Sequence, residues 1–233
     1  SSTAKGAQPI KMISHDVDDY LPLNFAQERL WFLDQLKPGD INYNVPYAFY
    51  LKDQESADLI EEALNIVVAR HESLRTVFTN HSGQAMQVVL DYLKLSIVRV
   101  NLTQYRNESN KQQKLDELCE AEITTSFDLS TGPLIRGILF KLSADNYILL
   151  LNMHHIIVDG WSIGVMMREL FSIDRQSVVS GMSVVFVCRR RSLNTTGWKL
   201  NKKHKKTTVN PLNKTTTLDD STDTRVTNLL INH

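Results

Sequence analysis

Residues 147–162 read Tyr147-Ile148-Leu149-Leu150-Leu151-Asn152-Met153-His154-His155-Ile156-Ile157-Val158-Asp159-Gly160-Trp161-Ser162. The short apolar run at 147–153 suits a buried strand. It delivers two imidazoles, His154 and His155, to the strand's end. With an ordinary pKa of about 6.5, imidazole is the side chain best matched to proton transfer near neutrality. Asp159-Gly160 then turns the chain sharply, and residues 161–171 read as an apolar-faced helix. The stretch predicts a rigid strand presenting a base at the lip of a cleft.

With 233 residues the chain has room for one large domain or two small ones. Formal charge is zero and 42% of residues are hydrophobic, and the longest apolar stretches are much too short to span a bilayer. The opening Ser1-Ser2-Thr3-Ala4-Lys5 is polar and lacks signal-peptide character. Cys119 and Cys188 offer neither a disulfide framework nor zinc spacing. A reduced, cytoplasmic protein is expected. The neutral average hides a split: residues 172–233 hold 11 Lys/Arg against 4 Asp/Glu, leaving 15 basic and 22 acidic residues in the first 171. Such asymmetry can mark a nucleic-acid-binding tail. Aromatics are scarce there and no binding motif occurs, so a solvated tail is expected instead.

Residues 1–19 read as a leader. Asn24 is a suitable N-cap for a helix at Phe25–Leu36, closed by Pro38-Gly39. A strand is expected at 45–51, then a helix at 56–70 on which Leu59, Ile60, Ala63, Leu64, Val67 and Val68 recur at helical spacing. Runs at 74–79 and 85–90 flank Asn80-His81-Ser82-Gly83 and read as a hairpin. A strand at 95–100, a helix at 108–125 and a second hairpin, 133–142 with 147–153, complete the pattern. Helices packed on a mixed β-sheet, an α+β domain, should therefore occupy residues 20–171. Beyond it, residues 183–188 have the composition of one short strand, and Arg189-Arg190-Arg191 and Lys202-Lys203-His204-Lys205-Lys206 punctuate a segment with little periodicity.

Three separated segments resemble the condensation domain of non-ribosomal peptide synthetases. Leu23-Asn24-Phe25-Ala26-Gln27-Glu28-Arg29-Leu30-Trp31-Phe32-Leu33 is similar to the family's opening motif, with Asn24 where serine is usual. Arg70-His71-Glu72-Ser73-Leu74-Arg75-Thr76-Val77-Phe78 matches its second motif throughout, and His154-His155 through Asp159-Gly160 matches its active-site signature. Tyr43-Asn44-Val45-Pro46 and the segment from Phe127 to Leu134 also resemble the family. The resemblance implies a chloramphenicol-acetyltransferase-like lobe over about residues 20–171. A whole condensation domain pairs two such lobes around a tunnel, and the family's later motifs have no counterpart here. The expectation is thus a first lobe alone, with residues 172–233 an atypical basic tail such as a frameshifted or mis-spliced reading would produce.

The same resemblance implies attack of an amine on a thioester, both reactants riding on phosphopantetheine arms of donor and acceptor carrier proteins, with adjacent synthetase domains as neighbours. No cofactor bound by the chain itself is expected; adjacent strand histidines diverge and no His-Glu-x-x-His or Cys pair occurs, so no metal is expected either, and no membrane. Neighbouring strand residues face opposite ways, so His154 and His155 cannot share one task. By match to the family His155 faces the tunnel and His154 packs behind it. Asp159 is expected to be buried against Arg75, while Arg70 and Arg75 lock the helix-to-strand junction. Gly160 is expected to allow close backbone approach and to offer its amide to an oxyanion, and Trp161 to be a packing residue. The Gly160-Trp161-Ser162 ending resembles the subtype that takes a donor with a D-configured terminal residue. Within catalysis the alternative is a starter-type lobe transferring a fatty acyl group. Outside it, the alternative is a carrier-docking module or an inactive truncated lobe.

Overall fold

Local capping decides where the helices begin. In the computed structural model, which describes residues 19–176 and 183–187, Asn24 Oδ1 accepts from the Gln27 amide while Gln27 Oε1 accepts from the Asn24 amide, each at 2.9 Å. This reciprocal box satisfies two otherwise orphaned groups and starts α1 at Phe25–Leu36 as expected. Asp53 caps α2 (Gln54–Arg70) through the Ser56 amide at 2.7 Å, which begins the helix two residues earlier than its apolar periodicity suggested. Helix α3 (Glu108–Ile123) is shorter than expected. The Thr124 and Thr125 hydroxyls bond back to Glu120 O and Ala121 O and satisfy its last carbonyls. The fourth helix, α4 (Gly160–Gln176), runs past the expected end at residue 171.

The main sheet has the order β5-β6-β7-β2-β8, built from β2 (Asn44–Leu51), β5 (Ile97–Asn101), β6 (Ile135–Lys141), β7 (Tyr147–His154) and β8 (Ser183–Val187). β5 and β6 are parallel and the other pairs antiparallel, so the sheet is mixed and the domain α+β. Every residue of β7 is buried. Its odd-numbered side chains Leu149, Leu151 and Met153 join the core shared with α2 and α4. Ile148 and Leu150 join a second core with Leu115, Cys119 and Ile123 of α3. Burial on both faces is why the run reads as continuously apolar rather than alternating. At Gly137 on β6 an added Cβ would collide with the Ile97 side chain and come within 3.1 Å of Leu151 Cδ2, so this glycine lets neighbouring side chains close over the strand.

A smaller sheet, β1-β4-β3, consists of β1 (Leu21–Pro22), β3 (Thr76–His81) and β4 (Gln84–Val89). Ser82 and Gly83 both adopt positive φ, 53° and 85°, giving the two-residue turn that matches strand twist. Asn80 Oδ1 accepts from the Gly83 amide. The expected strand at 74–79 starts later because Glu72–Arg75 winds into a 3₁₀ turn first. Strand β8 follows the expected short strand at 183–188 and pairs with β2. Of the expected leader only Asp19 falls within the described residues, and Cys188 and both basic runs lie outside them.

Candidate active site

The β7 strand ends where the two histidines begin. His154, its last residue, pairs with Asn44 of β2 and is 3% exposed. Its Nδ1 accepts from the Ile156 amide at 3.1 Å. Phe127 meets the ring edge-on at 6.1 Å and Tyr43 meets it tilted at 6.2 Å. Burial first, and the neighbouring His155 charge second, push its pKa down to about 4, so it is a neutral ring packed behind the site. His155 is exposed. It is not on the strand, as expected, but is the first residue of the following turn, its amide donating to Tyr43 O at 2.9 Å. One imidazole is buried and its neighbour, past the strand's end, is exposed.

Asp159 departs from expectation. It is exposed and caps α4: its Oδ1 accepts from the Ser162 amide at 2.7 Å, and its own amide donates to Ser162 Oγ at 2.8 Å. The carboxyl is held below the usual range chiefly by the Ser162 backbone N–H; desolvation works against this, and the Ser162 hydroxyl, the Trp161 N–H and the His155 charge add to it. The buried pairing with Arg75 is not formed. Arg75 instead donates from Nη1 to Leu90 O and from Nη2 to Glu72 Oε1 at 3.4 Å, and its Nε is buried without a partner among the described residues. A carboxylate one residue before a helix finds amides at once, and that local bond outcompetes the distant guanidinium.

Arg75 joins the 3₁₀ turn to the chain just after β4. Arg70 points elsewhere. It reaches Glu169 of α4 at 3.1 Å, and His71 Nε2 meets the same oxygen at 3.0 Å, so both fasten α2 to α4. Burial opposes ionisation of Glu169, but the His71 hydrogen bond and the charges of His71 and Arg70 outweigh it and hold its pKa low. Gly160 is exposed at the first turn of α4, and a Cβ there would meet nothing within 4 Å. Trp161, expected to pack, is 78% exposed.

Several further residues support the site. Tyr43 and Phe127 flank His154. Asn44 Nδ2 donates to Ile123 O and Thr125 O at 2.7 and 3.0 Å, fastening β2 to the end of α3. Arg136 Nε meets Glu122 Oε1 at 2.6 Å, and its other nitrogens donate to Thr125 O and Ser126 O. Buried Asn152 donates to Glu122 O at 3.0 Å. No group of His, Cys, Asp and Glu among the described residues has the arrangement to hold a metal ion. No helix among them is long and apolar enough to cross a membrane.

Residues 17–179 match the model of the condensation-domain family. The chain belongs to that family. Relatives include malpinin synthetase of Mortierella alpina, 42% identical over 161 residues, covering 69% of this chain and 2% of the synthetase. Phosphinothricin tripeptide synthetase PhsC of Streptomyces viridochromogenes is 38% identical over 170 residues, covering 73% of this chain and 16% of the relative. The chain therefore spans only a small part of these curated relatives. Among solved structures, the starter condensation domain of rhizomide synthetase RzmA superposes with a TM-score of 0.61 at 20% identity, over 70% of this chain and 40% of that one. The first condensation domain of the calcium-dependent antibiotic synthetase, in complex with a substrate analogue, gives 0.59 at 20% identity and the same coverage. At such identity the likeness speaks for the fold.

Proposed function

We propose that this lobe serves peptide-bond formation in a cytoplasmic non-ribosomal synthetase. The donor is an aminoacyl or peptidyl thioester on one phosphopantetheine arm, and the acceptor is the free amine of an aminoacyl group on another. The nitrogen lone pair attacks the thioester carbonyl carbon, the tetrahedral centre collapses, and the C–S bond breaks. The departing sulfur leaves as a thiol while the nitrogen loses a proton. A thioester is already activated, so no covalent nucleophile is required. Alignment of two tethered reactants can lower the barrier by several kcal/mol, up to about 7–11 in the best intramolecular cases.

In this reading His155 orients the amine and manages its proton, and the Gly160 amide at the start of α4 faces the developing oxyanion. Asp159 and Ser162 hold that helix start, while His154, Arg75 and Arg70 support the scaffold. The observation that carries the reading is the exposed His155, anchored by its own amide to Tyr43 O at the end of a fully buried strand. Carrier proteins bearing loaded phosphopantetheine are the partners this chemistry demands.

The test is direct. The chain is incubated with donor- and acceptor-loaded carrier proteins, and the acceptor is analysed by intact-mass spectrometry. A mass gain equal to the transferred aminoacyl group supports the reading. Carrier binding without transfer favours a docking module and overturns it.

A further inference from the structure

We propose that His154, which is buried in contact with the Phe127 and Tyr43 rings, is a positioning residue that fixes the turn presenting His155. This deepens the functional reading above and rests on it for its kinetic consequence. His154 Nδ1 accepts from the amide of Ile156, two residues on, so the imidazole closes a small ring across His155. That is the relation an Asx turn makes with a carboxamide or carboxylate oxygen. Two further bonds brace the same turn: the Ile157 amide donates to His154 O at 3.2 Å and the His155 amide to Tyr43 O at 2.9 Å. Backbone on both sides of the exposed His155 is therefore tethered.

The contacts extend outward from His154. Phe127 meets the imidazole edge-on, at an interplanar angle of 78°, and the Arg136 guanidinium lies 3.8 Å above the Phe127 ring centroid. Arg136 is itself held by Glu122 and by the carbonyls of Thr125 and Ser126. Because Nδ1 accepts, the neutral ring carries its proton on Nε2. A second proton would turn Nδ1 into a donor facing another donor. Burial of the ring disfavours that charged form.

Two variants of the full chain separate positioning from packing. His154→Asn keeps an acceptor able to reach the Ile156 amide, and His154→Phe fills the volume without one. Because a misplacement of about 1 Å can cost on the order of 100-fold, His154→Phe should lower kcat for amide formation by at least about 10-fold with KM for the loaded carriers nearly unchanged. His154→Asn should recover most of that loss. Hydrogen exchange at the Ile156 amide should accelerate about 10-fold in the Phe variant, the scale of one lost tether, and stay slow in the Asn variant. Nitrogen NMR of the unmodified chain, which depends on no substitution, should find Nδ1 of His154 unprotonated at neutral pH. A protonated Nδ1, or wild-type exchange at Ile156 in His154→Phe, would overturn the inference. If the unmodified chain forms no amide, the functional reading fails by itself, and exchange and NMR still decide the turn.

Discussion

Replacing Asp159 with alanine removes the carboxylate that accepts from the Ser162 amide and the charge that faces the positive end of α4. Loss of an N-cap costs about 0.5–2 kcal/mol, typically about 1, and the charge–dipole contribution belongs to the same interaction. Breaking a buried ion pair costs about 3–5 kcal/mol. The two accounts of Asp159 therefore differ severalfold. With a urea dependence of about 2 kcal/mol per molar, the capping role predicts a midpoint lowered by about 0.5 M, and a buried pair with Arg75 a midpoint lowered by about 2 M. Asp159→Asn should unfold close to the unmodified chain at neutral pH, because asparagine caps as well as aspartate. The pH dependence carries a definite sign. With its folded pKa depressed, the carboxylate's stabilisation is present in full above the unfolded value of about 3.9 and is lost as pH falls through the lower folded value. The unmodified chain should thus lose stability relative to Asp159→Asn only in acid. A fall of 2 M for alanine, or an asparagine variant as unstable as alanine, refutes the capping assignment.

Two other perturbations probe the scaffold. Gly137→Ala drives a methyl into the Ile97 side chain and against Leu151; overpacking of this kind costs about 1–3 kcal/mol, and an unchanged urea midpoint would contradict the packing described for β5 and β6. Arg136→Met strands the Glu122 carboxylate and two carbonyls in a site where the two side chains are 25% and 14% exposed. The expected loss is about 2–3 kcal/mol, and a double variant with Glu122→Gln should lose less than the sum of the singles. Strict additivity would mean that the pair is not coupled.

What the sequence disclosed and what it concealed follow physical range. Asn24 and Gln27 announce α1 because a capping box is made by residues three apart. The 147–153 run announces β7 because a strand buried on both faces needs apolar residues throughout. Asp159 and Ser162 carried a signal of the same local kind, and it prevails over the distant pairing with Arg75. Tyr43, Asn44, Phe127 and Arg136 were not legible as parts of one support. Asn44 binds carbonyls 79 and 81 residues away, and Phe127 meets His154 only after α3 has docked on the sheet. Glu169 was hidden likewise, since its partners Arg70 and His71 lie 99 and 98 residues earlier.

The central claim is that the exposed His155 side chain serves amide formation while contributing little to the fold. The decisive measurement is the single-turnover rate of aminoacyl transfer between loaded carrier proteins for the unmodified chain and for His155→Ala, with urea midpoints recorded on the same samples. Removal of a positioned general base lowers rates by about 100- to 10,000-fold, so a fall in that range with an unchanged midpoint is the predicted result. Transfer by His155→Ala at the unmodified rate would contradict the account.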